Sequence, residues 1–383
     1  MRETGLKEEP AVLEERPLTI GEFRTRLTRL NDDSMRLFEP VLAELEPMVP
    51  SHVSVHGIRP RVFGSSETDT IHLPDEYVFS ASSLSNYIDC PRRFLFLNIL
   101  KIQNPLLAKQ PYFIVGNAFH ACLEMLHKPQ SPWESGKLPS DSDLDEIFAA
   151  TAAPMLNNIE FFQRHFESTS IKNAMPIYRE AIYGLNQLPP SGTLGVEHPF
   201  NFIFNGCRFR GRFDRLARTN DGGVIVIDYK TSANNASNSE KIFELAFPRE
   251  GLPQEMQMPL YLMACRKMGF NKAAVTLLYI KQEAYKKNYK SMRAGFLRSA
   301  SLNFGCGPEY GVEVSEDDFS RFESSLAGIL DEIKRDRTFA CKPSNHPDAR
   351  SCLNFDINKQ PKCEFYPFCQ EKLESGKEKK ANE

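Results

Sequence analysis

The chain has 383 residues, 41% hydrophobic and 25% charged, with 47 Lys and Arg against 50 Asp and Glu and a net charge of -3. This excludes a collagen-like, low-complexity or wholly disordered chain, and it excludes a uniformly basic coat for nucleic acid while leaving room for a local basic channel. No apolar run approaches the ~18 residues of a membrane span, and no apolar stretch follows Met1–Gly5 as in a secretion signal, so a cytoplasmic protein without a membrane partner is expected.

Residues 1–75 are rich in charge and proline. Phe23, Leu27, Leu30, Phe38, Leu42 and Leu45 fall at helical spacing, so this segment reads as a helical or partly disordered extension. The folded domain is expected over 76–372, and residues 373–383 read as a disordered, solvated tail. Ser80–Ser83 offers N-caps to a helix carrying Leu84, Tyr87, Phe94 and Leu95, interrupted at Cys90-Pro91. A second helix is expected over 116–127 and further helices over 143–187. The period then changes to two. Gly195–Phe204 and Cys207–Leu216 alternate, and Asn205-Gly206 between them signals a hairpin. In the second run Cys207, Phe209, Gly211 and Phe213 interleave with Arg208, Arg210, Arg212 and Asp214. The turn signature Asn220–Gly223 introduces a third strand over 223–229. A helix over 253–268 and a strand over 273–281 follow. Ser315 and Asp318 form a capping box before an amphipathic helix with Phe319, Phe322, Leu326, Ile329, Leu330 and Ile333. This order of elements predicts an α/β fold, a mixed central sheet flanked by helices.

The chemistry concentrates at the ends of the second and third strands. Asp228 and Lys230, two apart, share a strand face and emerge after Val224–Ile227, at the edge of a buried sheet. By themselves they can be a plain ion pair. Asp214 closes the preceding strand, and antiparallel pairing brings the two carboxylates close enough to share a divalent cation; such oxygen ligands suit Mg²⁺ or Mn²⁺. Lys230 then sits where it can hold or polarise water. Glu197, one strand earlier, is either a further acid near the metal or an exposed strand charge. Lys281, Lys286, Lys287, Lys290, Arg293 and Arg298, with Tyr285, Tyr289 and Phe296 interleaved, form a basic aromatic run that can grip phosphates and stack bases, or a solvated face. Lys286, Lys287 and Lys290 are its DNA-binding candidates.

Nine cysteines without a secretion signal argue against a disulfide framework. Four of the nine, Cys341, Cys352, Cys363 and Cys369, fall between 341 and 369, which points to a metal or an iron–sulfur cluster. Cys122, Cys207 and Cys265 lie in helix or strand patterns and read as small buried hydrophobes.

Asp-x13-Asp-x-Lys after such strands resembles the PD-(D/E)XK nuclease superfamily, and the order of further motifs resembles its RecB-like and AddB-like branch. Ser80–Leu84 through Tyr87–Phe94 looks like the opening helix of that branch. Gly116-Asn117-Ala118-Phe119-His120 with Glu124 looks like its histidine helix, and Gly211–Asp214 and Ile227–Thr231 look like its central motifs. Gln257–Tyr261 looks like its Gln-x-x-x-Tyr motif. Cys363 to Cys369 looks like the end of its iron–sulfur staple. The resemblance covers about 80–370 and implies a restriction-endonuclease-like core. It implies His120, Asp214, Asp228 and the Tyr229 carbonyl as metal ligands, Lys230 as the group that activates water, and Gln257 and Tyr261 beside the site and DNA. It also implies a 4Fe–4S cluster on Cys90, Cys352, Cys363 and Cys369. The spacing between Cys352 and Cys363 departs from the branch, which keeps Cys341 as a competing ligand and a zinc site as the rival. The expected function is a metal-dependent DNA exonuclease in repair, recombination or related DNA processing, with a separate helicase subunit as partner, since no Gly-x4-Gly-Lys-[Ser/Thr] phosphate loop occurs. The alternatives are a catalytically silent DNA-binding subunit of a helicase–nuclease and a structural Cys-rich interaction module.

Overall fold

The computed structural model describes residues 73–103, 111–157, 159, 161–184, 189, 192–231, 238–279 and 298–340, with two short strands before them, β1 (Leu18–Thr19) and β2 (Ser54–Val55). The helices expected between 20 and 45 lie outside the described residues. After β3 (Val78–Phe79) come α1 (Ala81–Asp89) and α2 (Pro91–Phe94). Ser80 caps α1 with a reciprocal Ser80/Ser83 capping box, and Pro91 breaks the helix at Cys90, where it occupies the first turn of α2. A two-residue strand, β4 (Ile102–Gln103), joins β2 and β1 in a small sheet. The helical layer follows as α3 (Pro111–His127), α4 (Asp141–Ala150), α5 (Ala152–Leu156) and α6 (Phe161–Arg179).

The hairpin is β5 (Thr193–Phe204) and β6 (Cys207–Arg218). Asn205 and Gly206 take φ 47° and 70°, the left-handed pair of one of the two turns that close two-residue hairpins, and one that Asn-Gly adopts at least cost. Alternation along β6 has its expected result: Cys207, Phe209 and Phe213 are buried, and Arg208, Arg210 and Arg212 are exposed. Gly211 keeps its place in this pattern because the Phe200 ring lies over it; an added Cβ would stand 2.3 Å from Phe200 Cζ.

β7 (Val224–Lys230) is antiparallel to β6 and parallel to β8 (Ala273–Tyr279), reached through α7 (Ser239–Ala246) and α8 (Gln257–Lys267). β9 (Arg298–Phe304) and β10 (Val312–Glu313) complete a sheet ordered β10-β9-β8-β7-β6-β3, with β5 on β6. Because β7 is apolar on both faces, helices cover it on both. Val224 and Val226 join a core with α1, α8 and α9 (Glu316–Arg335), while Ile225, Ile227 and Tyr229 join a second core with α3, α4 and α6. This is the expected mixed sheet between helices. α7, β9 and β10 add to the expected order. β9 escapes a hydrophobic reading because Ser299, Ser301 and Asn303 interrupt it; Thr276 and Ser301 instead meet across the strands at 2.9 Å. Among the described residues no helix is long and apolar enough to cross a membrane.

Candidate active site

β6 and β7 pair only from Arg215↔Ile227 to Arg218↔Val224, whereas β7 continues beside β8 as far as Lys230↔Tyr279. The two strands therefore splay at Asp214. A buried amide at this point needs an acceptor, and the Tyr229 N–H donates 2.8 Å to Asp214 Oδ2. The pleat changes phase here as well. Phe213 packs into the first core, while Arg215, two residues on, is fully buried against Thr193 on the other side. Glu197, between the partners of Phe213 and Arg215, takes φ 45°. A non-glycine residue pays about 1 kcal/mol or more for that conformation.

α3 brings His120 to the splay. Gly116, one turn earlier, allows the close approach, since a Cβ there would meet Thr231 Oγ1 at 3.2 Å. His120 Nε2 lies 2.9 Å from the Tyr229 carbonyl, to which it must donate, and Nδ1 lies 3.5 Å from Asp214 Oδ2. Burial lowers the His120 pKa against the opposing pull of Asp228. The neutral ring thus turns a lone pair towards a carboxylate, an arrangement that a cation between them would satisfy. His120, Asp214 and Glu197 offer ligand atoms within 4.8 Å of one another, a mixed nitrogen and oxygen set that fits Mg²⁺ or Mn²⁺. Burial, and then the neighbouring Asp228 charge, raises the Asp214 pKa; a bound cation would relieve both.

Asp228 stands beside this trio rather than in it. Gln257 Nε2 donates 2.6 Å to its Oδ1, and Lys230 Nζ lies 2.5 Å from its Oδ2. Lys230 also donates to Gln257 Oε1 at 2.8 Å. Burial pushes the Lys230 pKa down, but Asp228 outweighs it and the net shift is upward, so the amine stays an ammonium. Gln257 and Tyr261, four apart on α8, share a face. Gln257 Nε2 donates to Tyr261 OH at 2.7 Å, and Tyr261 donates to the Arg212 carbonyl at 3.1 Å. Tyr261 is buried, so its ring holds the site together rather than offering a stacking surface.

Behind the sheet lies a polar chain that the sequence did not disclose. Glu134 Oε1 accepts from His127 Nδ1 at 3.1 Å, which leaves Nε2 to accept from Tyr178 OH at 2.8 Å; Tyr178 in turn meets Tyr229 OH at 2.9 Å. Glu134 also accepts from the Thr193 N–H and hydroxyl at 2.9 and 2.7 Å, and Arg215 Nε donates to the same hydroxyl at 2.9 Å. His127, Tyr178 and Arg215 are fully buried. Glu255 is a second residue missed: it accepts from the N–H groups of Gln257 and Met258 at 2.7 and 3.2 Å and so fixes the start of α8. The only local sequence signal for it is an acid two residues before a helix.

Of the other candidates, Glu124 pairs with Lys128 at 3.5 Å, one turn along α3, and does not join the trio. Cys122, Cys207 and Cys265 are buried free thiols, Cys90 is buried, and Cys306 is half-buried. Cys90 sits between α1 and α2. Phe339, fully buried, stacks on Phe94 at 6.0 Å, and its carbonyl accepts from Arg92 Nε at 2.9 Å. The chain is thus delivered, two residues before Cys341, to the helix pair that carries Cys90. Cys341, Cys352, Cys363 and Cys369 and the run with Lys286, Lys287 and Lys290 lie outside the described residues.

No curated protein matches the chain. Eleven chains of solved structures do. One of them, described as "Crystal structure of SSO0001", shares 13% identity over 68% of this chain and 77% of its own, with a TM-score of 0.25; so slight a likeness bears on neither fold nor chemistry. The family model for the PD-(D/E)XK nuclease superfamily matches residues 78–370, a span that contains the splay, the histidine helix and α8. The chain belongs to the PD-(D/E)XK nuclease superfamily.

Proposed function

We propose that this protein is a divalent-metal-dependent deoxyribonuclease that hydrolyses phosphodiester bonds, as an exonuclease on DNA ends or single strands in repair, recombination or related processing. The observation that carries the reading is the convergence of His120, Asp214, Glu197, Asp228 and Lys230 where β6 and β7 part. His120 and Asp214, with Glu197, would hold the cation, and the Tyr229 carbonyl and Asp228 border the same space. The cation, when bound, polarises a phosphoryl oxygen and lowers the pKa of water. Asp228 and Gln257 hold the Lys230 ammonium in place, so it donates hydrogen bonds to a water or to the phosphate and orients the attack. Tyr261 and Gln257 act on substrate through these groups.

The RecB-like and AddB-like branch is the finer assignment, with a 4Fe–4S cluster on Cys90, Cys352, Cys363 and Cys369 and a helicase subunit as partner. Its support is the ordered set of motifs and the docking of Phe339 against the helices that flank Cys90. The test is cleavage of 5′- and 3′-labelled single- and double-stranded DNA by purified protein with Mg²⁺ or Mn²⁺ and with chelator. Metal-dependent products that vanish in Asp228→Ala are expected. DNA binding without cleavage by the wild type under every metal would leave the silent DNA-binding subunit instead.

A further inference from the structure

We infer that the row Arg208, Arg210 and Arg212 on β6 is a phosphate track that carries one nucleic-acid strand, in extended form, to the carboxylate of Asp214. The inference rests on the nuclease reading for what happens at the end of the track, not for the track itself. The three arginines alternate with buried Cys207, Phe209 and Phe213, so all three project from one face. They are exposed; the side chains of Arg208 and Arg212 are 53% and 68% accessible. Residues on alternate positions repeat every ~6.7 Å along a strand, close to the step between successive phosphates of a stretched nucleic-acid strand. Asp214 lies two residues beyond Arg212, where β6 and β7 part, so a phosphate at the metal trio places its neighbours towards Arg212, Arg210 and Arg208 in turn.

The facing strand supports a polyanion rather than a salt-bridged surface. The cross-strand partners of Arg208, Arg210 and Arg212 are Ile203, Asn201 and Pro199. None is acidic, and Ile203 is 66% exposed, an apolar rest for a base beside the phosphate row. Among the described residues the row pairs with carboxylates at its two ends, Glu76 near Arg208 at 3.5 Å and Glu197 near Arg212 at 3.1 Å. Glu76 is itself 89% exposed and pairs weakly. Along the middle of the row the sheet leaves an opening, since β3 covers only Arg208 and Phe209 and β7 begins at Arg215. A groove of about 340 Å³, lined by Ser80, Phe200, Phe209, Arg210, Gln257 and Tyr261, opens at this gap on the α8 face of the sheet. A solubilising edge would need charge of either sign and no register; this row has one sign and one side-chain type, and it runs up to a metal-site residue.

The test is the double variant Arg208→Gln/Arg210→Gln, with Arg218→Gln, exposed on the same strand beyond Asp214, as comparison. Binding of a fluorescent single-stranded 12-mer in EDTA is measured from 50 to 300 mM salt. Two lost phosphate contacts should lower the slope of log K against log salt by about 1.4 and weaken binding roughly tenfold, while Arg218→Gln keeps the wild-type slope. In cleavage assays the penalty should grow as substrates lengthen from two to six nucleotides. An unchanged slope in the double variant, or an equal change in Arg218→Gln, overturns the track while leaving a cleaving wild type intact. A penalty equal at every length means that the arginines act on the metal site, and it also overturns the track. A blunt duplex that competes as well as the single strand defeats the one-strand geometry. A lowered slope in a protein that cleaves nothing sinks the nuclease reading and keeps the track.

Discussion

His127 makes the hidden polar chain measurable. Burial, and then the Arg215 charge, pulls its pKa down from 6.5 to about 3. A depressed histidine binds its proton in the unfolded chain first. Its contribution to stability is therefore complete above pH 6.5 and is lost as pH falls from 6.5 towards 3. The slope is about 1.4 kcal/mol per pH unit, so His127 alone removes about 2 kcal/mol between pH 7.5 and 5.0. The Glu134 pKa is lowered from 4.5 by its bonds to His127 and Thr193, which outweigh the opposing effect of burial; its own loss of stability begins only below that window. His127→Gln keeps an amide donor for Glu134 and an acceptor for Tyr178, and it cannot take up the proton. Urea unfolding at pH 7.5 and 5.0 should show a wild type that loses about 2 kcal/mol more than the variant over the interval. Equal losses in the two proteins would mean that His127 is not held neutral in the folded state, and the tautomer assigned from Glu134 would fall with it.

The active-site assignments yield three further expectations. Asp214→Ala, Asp228→Ala and Lys230→Ala should each cut cleavage by roughly 10²-fold or more with DNA binding retained, and Glu197→Gln should weaken Mn²⁺ binding roughly tenfold by calorimetry; wild-type-like cleavage by Asp228→Ala would refute the site. Replacing Lys286, Lys287 and Lys290 by Ala should lower the salt slope of single-strand binding by about 2, whereas an unchanged slope would make that run a solvated face. Anaerobic protein should be brown with about four irons per chain, Cys363→Ser should bleach it, and Cys207→Ser should not. Bleaching by Cys341→Ser with an intact Cys352→Ser would move the ligand, and colourless protein with one tight zinc would favour the zinc rival.

What was legible in the sequence followed from short-range rules. Asn205-Gly206 announced its hairpin because both residues readily take the left-handed conformation that a tight two-residue turn uses, and Ser315 with Asp318 announced α9 through a reciprocal cap. Asp214, Asp228 and Lys230 were legible as a group because antiparallel neighbours bring strand ends together. The division of labour among the carboxylates was not. Glu197 reaches His120 and Asp214 through a positive φ that no hydrophobic period encodes, and Gln257 draws Asp228 towards Lys230. The chain from Glu134 to Tyr229 was illegible for a similar reason. Its members come from α3, a short helical turn, α6 and the sheet, and each alone resembles an ordinary polar residue in a loop or helix.

Tyr229 is where these separate constraints meet, and it explains how a strand end, the part of a sheet most prone to fraying, can serve as the floor of the candidate metal site. Its N–H is held by Asp214, its carbonyl by His120 and its hydroxyl by Tyr178. Each of its polar groups is thus tied to a different element, β6, α3 and α6. The first two ties reach groups that would touch the cation, and the third runs away from the site into a buried chain ended by a carboxylate and an arginine. A shift of the strand end by even half an ångström would have to lengthen one of these hydrogen bonds, of which the Tyr178–Tyr229 bond is buried. The buried chain therefore supports the position of the Tyr229 carbonyl and the Asp214 carboxylate without touching substrate, and an α6 residue such as Tyr178 belongs to the site's architecture although it lies on the far side of the sheet from the Asp228 and Gln257 pair.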